Sequence, residues 1–346
     1  MNYYIEQVRQ KYWKQYLEDV TEYICKKLIN PAKYKIKSKV LNFNTYLLGL
    51  AKYNNILTTS VIKKYSNELY LDIKHNYDIS DDDFNDIINY MIDISKRLNK
   101  LATIDMKTIN DVEIIIDISD ENYKHLKKLS GLKKKDLNYY IGCLLLRYEY
   151  YGYAKVGICL SANSIYEWIK VNKYTNSALE MFAGALNSNL PNYCSLFYDI
   201  EKYFGSKGSV FLYKDISKYK IVISNPPYIT NVMNRSAKLI LKYLKNTNTM
   251  AIVNIPDWRS NAQQKLDNEI SINKIEQVRQ DSLYENYEML RTSKYFRKVI
   301  CIGNYKYKNF FDDNIASIRD NVLIIILTNN PDDKKIDSLV KFVCYF

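Results

Sequence analysis

Between Tyr4 and Ile29 the apolar positions Ile5, Val8, Tyr12, Tyr16, Val20, Tyr23 and Ile24 recur at roughly helical spacing and predict a long helix. A second strong helix is predicted from Ser80, with Phe84, Ile87, Ile88, Met91, Ile92 and Leu98 as its apolar face. Ser80 with Asp83 three residues on resembles a capping box with Asp in place of Glu. Acid in the first turn also suits the positive end of the helix dipole. Residues 1–110 therefore read as a helical domain without a catalytic pattern, suited to packing and substrate support.

The pattern then changes. Val112–Ile118 (VEIIIDI) is short and β-branched and predicts a strand, after which Asp120 is expected to cap a helix running to Leu129. Farther on, short apolar runs alternate with helical stretches. Val156–Leu160, Ala178–Phe182, Tyr193–Phe197, Ile221–Ile223, Met250–Ile255, Lys298–Ile302 and Val322–Leu327 suit buried strands, and Ile165–Val171, Arg235–Leu244 and Leu283–Leu290 suit crossing helices. Such alternation predicts an open α/β sheet over a second domain, 111–346. No long Pro/Gly linker separates the halves. The hexapeptide IEQVRQ occurs at Ile5–Gln10 and again at Ile275–Gln280, with no similarity around either copy, so it is not a structural repeat.

With 47% hydrophobic and 25% charged residues among 346, the chain can bury a sizeable core, which excludes wholesale disorder. No apolar run approaches the ~18 residues of a membrane span and no signal-like segment follows the N-terminus, so the expectation is a soluble, intracellular protein, cytoplasmic rather than nuclear, with no membrane partner. The net charge of +12 suits a polyanion, nucleic acid first, although the abundance of Lys, Asn, Ile and Tyr also reflects what AT-rich codons produce. Lys124, Lys127, Lys128, Lys133, Lys134 and Lys135 form a basic cluster that reads as a solvated face or as an RNA-backbone contact. Six cysteines show no CxxC pair, and neither His75 nor His125 has a partner at ligand spacing, so neither a metal nor a histidine base is expected.

The sharpest chemical signal is Asn225-Pro226-Pro227-Tyr228, directly after the run Ile221–Ile223. Ligands of open α/β sheets sit at the carboxyl ends of strands, where this tetrapeptide falls. The loop suits methyl transfer to a planar amino nitrogen, a poor nucleophile because its lone pair is delocalised into the ring. The Asn225 oxygen and the Pro226 carbonyl can accept its two N–H bonds and leave the lone pair facing the methyl. Two prolines stiffen the loop, and Tyr228 offers a stacking face worth about 1–3 kcal/mol per base. Catalysis of this kind is positioning and electrostatics, with no covalent nucleophile. The motif alone fits DNA adenine, RNA adenine and protein glutamine methylation.

The cofactor side is expected upstream. Ala178–Phe182 leads into Ala183-Gly184-Ala185-Leu186-Asn187, a small-residue turn that lets S-adenosylmethionine approach the backbone, though the usual G-x-G is absent. Tyr193–Phe197 runs into Asp199 and Glu201, and an acid after the second strand commonly binds ribose hydroxyls; the alternative is a pair of surface carboxylates.

At these residues the chain resembles the cap-specific adenosine N6-methyltransferases, the phosphorylated CTD-interacting factor 1 family. The matching segments are LLLRYEYYG (Leu144–Gly152), FAGALN (Phe182–Asn187), YCSLFYDIEKYFGSKG (Tyr193–Gly208), NPPY, IVNIPDWR (Ile252–Arg259) and, more weakly, RDNVLIIILTN (Arg319–Asn329). The resemblance implies a Rossmann-like class I methyltransferase core with an N-terminal helical domain. It implies S-adenosylmethionine as cofactor and capped mRNA as partner, the product being N6-methylation of the 2′-O-methyladenosine beside the cap. By motif, Asn225, Pro226, Pro227 and Tyr228 would hold the adenine, and Phe182, Ala183, Asn187 and Asp199 the cofactor. Trp258, Arg259 and Arg147 would serve the substrate. The chain departs from the family in having Tyr for Phe in the fourth loop position, FAGALN for FASPLN, and no Trp pair at WW spacing. Its compactness and codon bias suggest a large DNA virus or a similar compact genome. A DNA adenine methyltransferase is the first alternative, disfavoured because the short stretch after Trp258 leaves no room for a target-recognition domain. A decayed cap-binding scaffold is the second, disfavoured by the intact NPPY and Asp199.

Overall fold

Among the described residues, helices follow one another from Tyr3 to Tyr150 and the first strand is Ala178–Glu180. The computed structural model describes residues 3–48, 59–74, 77–105, 114, 116–151, 163–257, 285–303, 306–308, 315–317, 321–330 and 332–345. The chain divides into two units, one of Met1–Val156 with Phe197–Phe204, the other of Gly157–Leu196 with Gly205–Phe346.

The first unit contains α1 (Tyr3–Lys27), α2 (Lys33–Leu48), α3 (Thr59–Lys74), α4 (Asp81–Asp105), α5 (Asp120–Ser130) and α6 (Lys134–Tyr150). α1 packs against α2, α4 and α6, and buries Val8, Tyr12, Trp13, Tyr16, Val20 and Ile24 along one stripe. Each fully buried large aliphatic or aromatic side chain contributes about 1.5–3 kcal/mol. Gly142 on α6 lets the chain approach closely, because a Cβ there would stand 2.7 Å from Ile114 Cγ2.

Several local expectations change here. Ser80 does cap α4, its Oγ accepting from Asp83 N at 3.0 Å, but the Asp83 carboxylate accepts from the Ser80 hydroxyl and from Lys27 on α1. Ile94 rather than Ile92 completes the buried face of α4. Ile114 and residues 116–118 are not in a strand, and the rest of Val112–Ile118 lies outside the described residues. Ser119, not Asp120, is the cap of α5, accepting from Asn122 N at 3.3 Å; Ser at this position holds an extended backbone and leaves the two acids in the first turn. α5 ends at Gly131 in the left-handed conformation, φ 61°. The six lysines of this region are all exposed.

The second unit is built on a mixed five-stranded sheet of β1 (Ala178–Glu180), β2 (Ile221–Ser224), β3 (Met250–Pro256), β4 (Phe296–Ile302) and β7 (Val322–Thr328), in the order β1-β2-β3-β7-β4. β1, β2 and β3 are parallel, while β7 runs antiparallel to both β3 and β4. A separate hairpin pairs β5 (Lys306–Lys308) with β6 (Ile315–Ser317). Period-2 alternation divides the sheet residues between two cores. Leu179, Val222, Ala251, Val253, Leu323 and Ile325 face one side, covered by α9 (Thr230–Leu244) and the helical residues 285–291. Ala178, Ile221, Ile223, Ile252, Ile324 and Ile326 face the other, covered by α7 (Asn163–Val171) and α10 (Asp333–Tyr345). Continuous apolar runs such as IVIS and VLIIILT are what a sheet covered on both faces requires.

The expected strand at Tyr193–Phe197 reduces to one parallel bridge, Tyr193 to Glu180, because Phe197 already turns into α8 (Tyr198–Glu201). The expected strand Val156–Leu160 and the second IEQVRQ copy lie outside the described residues, as do His75 and Cys159. Among the described residues no helix is long and apolar enough to cross a membrane, and no group of three or more His, Cys, Asp or Glu could hold a metal.

Candidate functional site

After β1 the chain places Tyr193 beside Glu180 on one side, then returns to place β2 on the other. Chain order therefore reverses between β1 and β2, and a crevice outside the carboxyl ends of the strands at such a reversal is where open α/β sheets bind ligands. Two of the sequence-derived segments meet that position: the turn following β1, with Phe182, Ala183 and Asn187, and the loop following β2, with Asn225–Tyr228.

The loop is anchored at both ends. β2 is buried at all four positions, and Ser224 Oγ, its last residue, lies 2.8 Å from Ser236 Oγ on α9. Ile229 N donates to Pro227 O at 2.6 Å, closing a three-residue turn centred on Tyr228. Ile229 O in turn receives Met233 N at 3.0 Å as α9 begins. Two prolines, a γ-turn and a helix start leave the loop few conformations. Pro226 is buried, Pro227 exposed, and Asn225 and Tyr228 half-buried, Tyr228 packing on the α9-side core.

The turn after β1 is fixed by its own side chain. Asn187 Oδ1 accepts from Gly184 N, while Gly184 O accepts from Asn187 N at 3.2 Å and Ser188 N at 3.0 Å. Ala183 N donates to Cys194 O at 3.0 Å. Ala183, Gly184 and Ala185 present almost no side-chain bulk, so a ligand can approach the backbone there. Phe182, half-buried, meets Phe211 edge-on at 5.8 Å, and the Arg235 guanidinium lies over Phe211 at 5.1 Å. The residues present fit an adenosyl cofactor: a half-buried aromatic ring, a small-residue turn and an Asn that holds its shape.

Sequence reading passed over Glu180. Its carboxylate is buried, accepting from Tyr166 Oη at 2.6 Å and from Asn189 N at 2.9 Å. Burial pushes its pKa up to about 7, against the lowering effect of the Tyr166 hydroxyl and the Asn189 and Leu190 amides. A carboxyl raised from 4.5 binds its proton more tightly folded than unfolded. Between pH 4.5 and 7 stability should therefore fall as pH rises, by on the order of 3 kcal/mol. Glu180→Gln keeps an acceptor for Asn189 and can face its amide toward Tyr166. Thermal midpoints across that range should lose this contribution in the variant; an unchanged slope would assign the titration elsewhere.

Arg147 and Asp199 lie in the first unit, where they meet each other. Arg147 Nε and Nη2 donate to Glu6 at 2.8 and 2.9 Å, while Nη1 and Nη2 donate to Asp199 at 3.2 and 3.0 Å. Arg9 donates to Glu6 at 2.7 Å and stands 3.7 Å from Asp199. Glu6 is fully buried, Arg147 2% exposed and Asp199 21% exposed as side chains. The Arg147 guanidinium also lies 5.5 Å above the Phe197 ring, and Glu201 accepts from Phe197 N at 2.7 Å. The first IEQVRQ copy thus has a local account, since its Glu6 and Arg9 are two of the four charges. Trp258 and Arg259 lie outside the described residues.

No curated protein matches this sequence. The family model described as phosphorylated CTD interacting factor 1 WW domain matches residues 121–288. That span takes in α5 and α6 of the first unit and β1, β2, α9 and β3 of the second, and so includes both segments at the strand reversal. The match over residues 121–288 supports a phosphorylated CTD interacting factor 1-like family for this chain.

Proposed function

We propose that this chain is an S-adenosylmethionine-dependent RNA methyltransferase that methylates N6 of the adenosine beside the cap of mRNA, on a Rossmann-like methyltransferase core. The observation that carries the reading is the anchored Asn225–Tyr228 loop at the strand reversal of a mixed α/β sheet, in a chain of this family. Phe182, Ala183 and Asn187 would hold the cofactor. Bound there, S-adenosylmethionine would supply the methyl group as an electrophile and leave as the thioether, and the proton lost from N6 would pass to water. The protein's part is to position the acceptor. Asn225 Oδ1 and the Pro226 carbonyl accept the two N6–H bonds, which removes the amino group's freedom to rotate. Tyr228 stacks on a base that has left its neighbours. The six exposed lysines between Lys124 and Lys135 supply phosphate contacts of the kind that make RNA affinity fall with salt.

The test is methyl transfer from labelled S-adenosylmethionine to four substrates, with digestion to nucleosides: cap-adenosine RNA with and without the 2′-O-methyl, uncapped RNA of the same sequence, and duplex DNA. N6,2′-O-dimethyladenosine from capped RNA alone is the expected product. Equal labelling of uncapped RNA or of DNA would remove the cap from the reading, and no labelling of any substrate would remove the methyltransferase.

A further inference from the structure

Asn254 interrupts the apolar run of β3, and both its side-chain atoms, Oδ1 and Nδ2, lack a hydrogen-bond partner. It is 1% exposed, and it is the one side chain among the described residues with a complete amide left unpaired in this way. An amide stripped of water and given no partner is costly, and native proteins keep such groups where something else completes them.

Its place in the sheet says what that could be. Ser224 pairs with Val253 on the neighbouring parallel strand, and the two chains continue from that pair into Asn225 and Asn254. Alternation puts Asn254 on the face of Ile252 and Ile324, opposite to Val253 and Ile255. The turn after β1, which the proposed function gives to the cofactor, lies on the other flank of β2. β3 is therefore the flank that remains for the acceptor base.

We infer that Asn254 is a base-reading residue of this site, its Nδ2 donating to a ring nitrogen of the target adenine and its Oδ1 accepting from the Asn225 amide. The inference rests on the proposed function. In that reading the amino group is already taken by Asn225 Oδ1 and the Pro226 carbonyl, so the acceptor left beside it is N1 or N7, the two ring nitrogens that flank the amino group, and each takes a donor. Nδ2 of Asn254 is one. The Asn225 amide, once its oxygen faces N6, can donate its NH2 to Oδ1 of Asn254. The same contact would fix which way the Asn225 amide points.

The experiment compares wild type, Asn254→Leu and Asn254→Ser on capped RNA carrying adenosine, 1-deazaadenosine or 7-deazaadenosine at the target position. It measures KM and kcat, with a thermal midpoint for each protein. Wild type should lose about tenfold in kcat/KM on one of the two deaza substrates, the scale of one hydrogen bond left unmade. Asn254→Leu should raise KM on adenosine and react equally with adenosine and that analogue, while its midpoint stays level or rises because an unpaired buried amide has gone. Asn254→Ser should lie between. A Leu variant that keeps the wild-type KM and the wild-type discrimination would overturn the inference while leaving the methyltransferase standing. So would wild-type indifference to both analogues, which needs no variant to fold. Wild type inactive on every adenosine substrate would instead overturn the proposed function, and this inference with it.

Discussion

Asn225→Ala should cost about a hundredfold or more in kcat with little change in KM, because the acceptor that orients the amino nitrogen is gone while the stacking surface remains. A hundredfold corresponds to about 3 kcal/mol of barrier. The amino group of adenine is planar and conjugated. Reaction requires it to be held so that its lone pair meets the methyl group, and a single hydrogen bond to Pro226 would leave rotation about the C–N bond open. Asn225 is half-buried and follows the last pinned residue of β2, whose anchor is the Ser224–Ser236 contact, so the fold should survive. Asn225→Asp keeps an acceptor and should retain more activity than the Ala variant. Tyr228→Phe should be nearly silent on kcat, since the ring face is what stacks, whereas Tyr228→Ala should raise KM by about tenfold or more. Single-turnover rates with saturating cofactor separate these effects. An Ala variant within threefold of wild type would refute the orienting role.

Much of the sheet was legible because its strands are buried on both faces. A run such as Ile221–Ile223 or Val322–Leu327 has few alternatives, and the observed β2 and β7 exceed those runs by one residue each. Amphipathic helices with wide apolar stripes were equally plain, as at Tyr4–Ile29 and Ser80. What the pattern could not convey was pairing. Tyr193–Phe197 looks like a strand by composition, but only Tyr193 makes a bridge, because the next residues leave the sheet for a different unit. The turn and the NPPY loop were found from residue types alone, and their juxtaposition came only from the parallel β1–β2 register. Glu180 and Asn254 escaped notice for one reason. Each is a single polar residue in an apolar strand, and the chemistry of such a residue depends on neighbours distant in sequence: Tyr166 and Asn189 for Glu180, the end of the neighbouring strand β2 for Asn254. The usable signal was the interruption itself, in ALEMF and in MAIVNIP.

Arg147→Ala should destabilise the first unit by about 3–5 kcal/mol, because it leaves Glu6 buried at zero exposure with Arg9 as its remaining cation in the cluster. Asp199 would lose its two-pronged partner as well, and the short α8 would lose the charge pair that ties it to α6. Arg147→Lys should recover only part of the loss, since an ammonium is a point charge and cannot serve two carboxylates with the planar fork that guanidinium presents. The decisive comparison is Arg147→Met with Glu6→Gln. Each alone strands a buried group, while the pair removes both charges together, so the double variant should be more stable than the sum of the singles by about 1–3 kcal/mol. Asp199→Asn adds a separate reading. If Asp199 serves chiefly as the counter-ion of Arg147, the variant should lose stability and keep its affinity for S-adenosylmethionine; if it also accepts the ribose hydroxyls, affinity should fall by about tenfold even where the protein is fully folded. Urea unfolding followed by circular dichroism, with cofactor titration at a temperature where every variant is native, measures both. Additive single and double changes would mean that Glu6 and Arg147 do not stabilise one another, and the buried cluster would then be a consequence of packing rather than a cause of it.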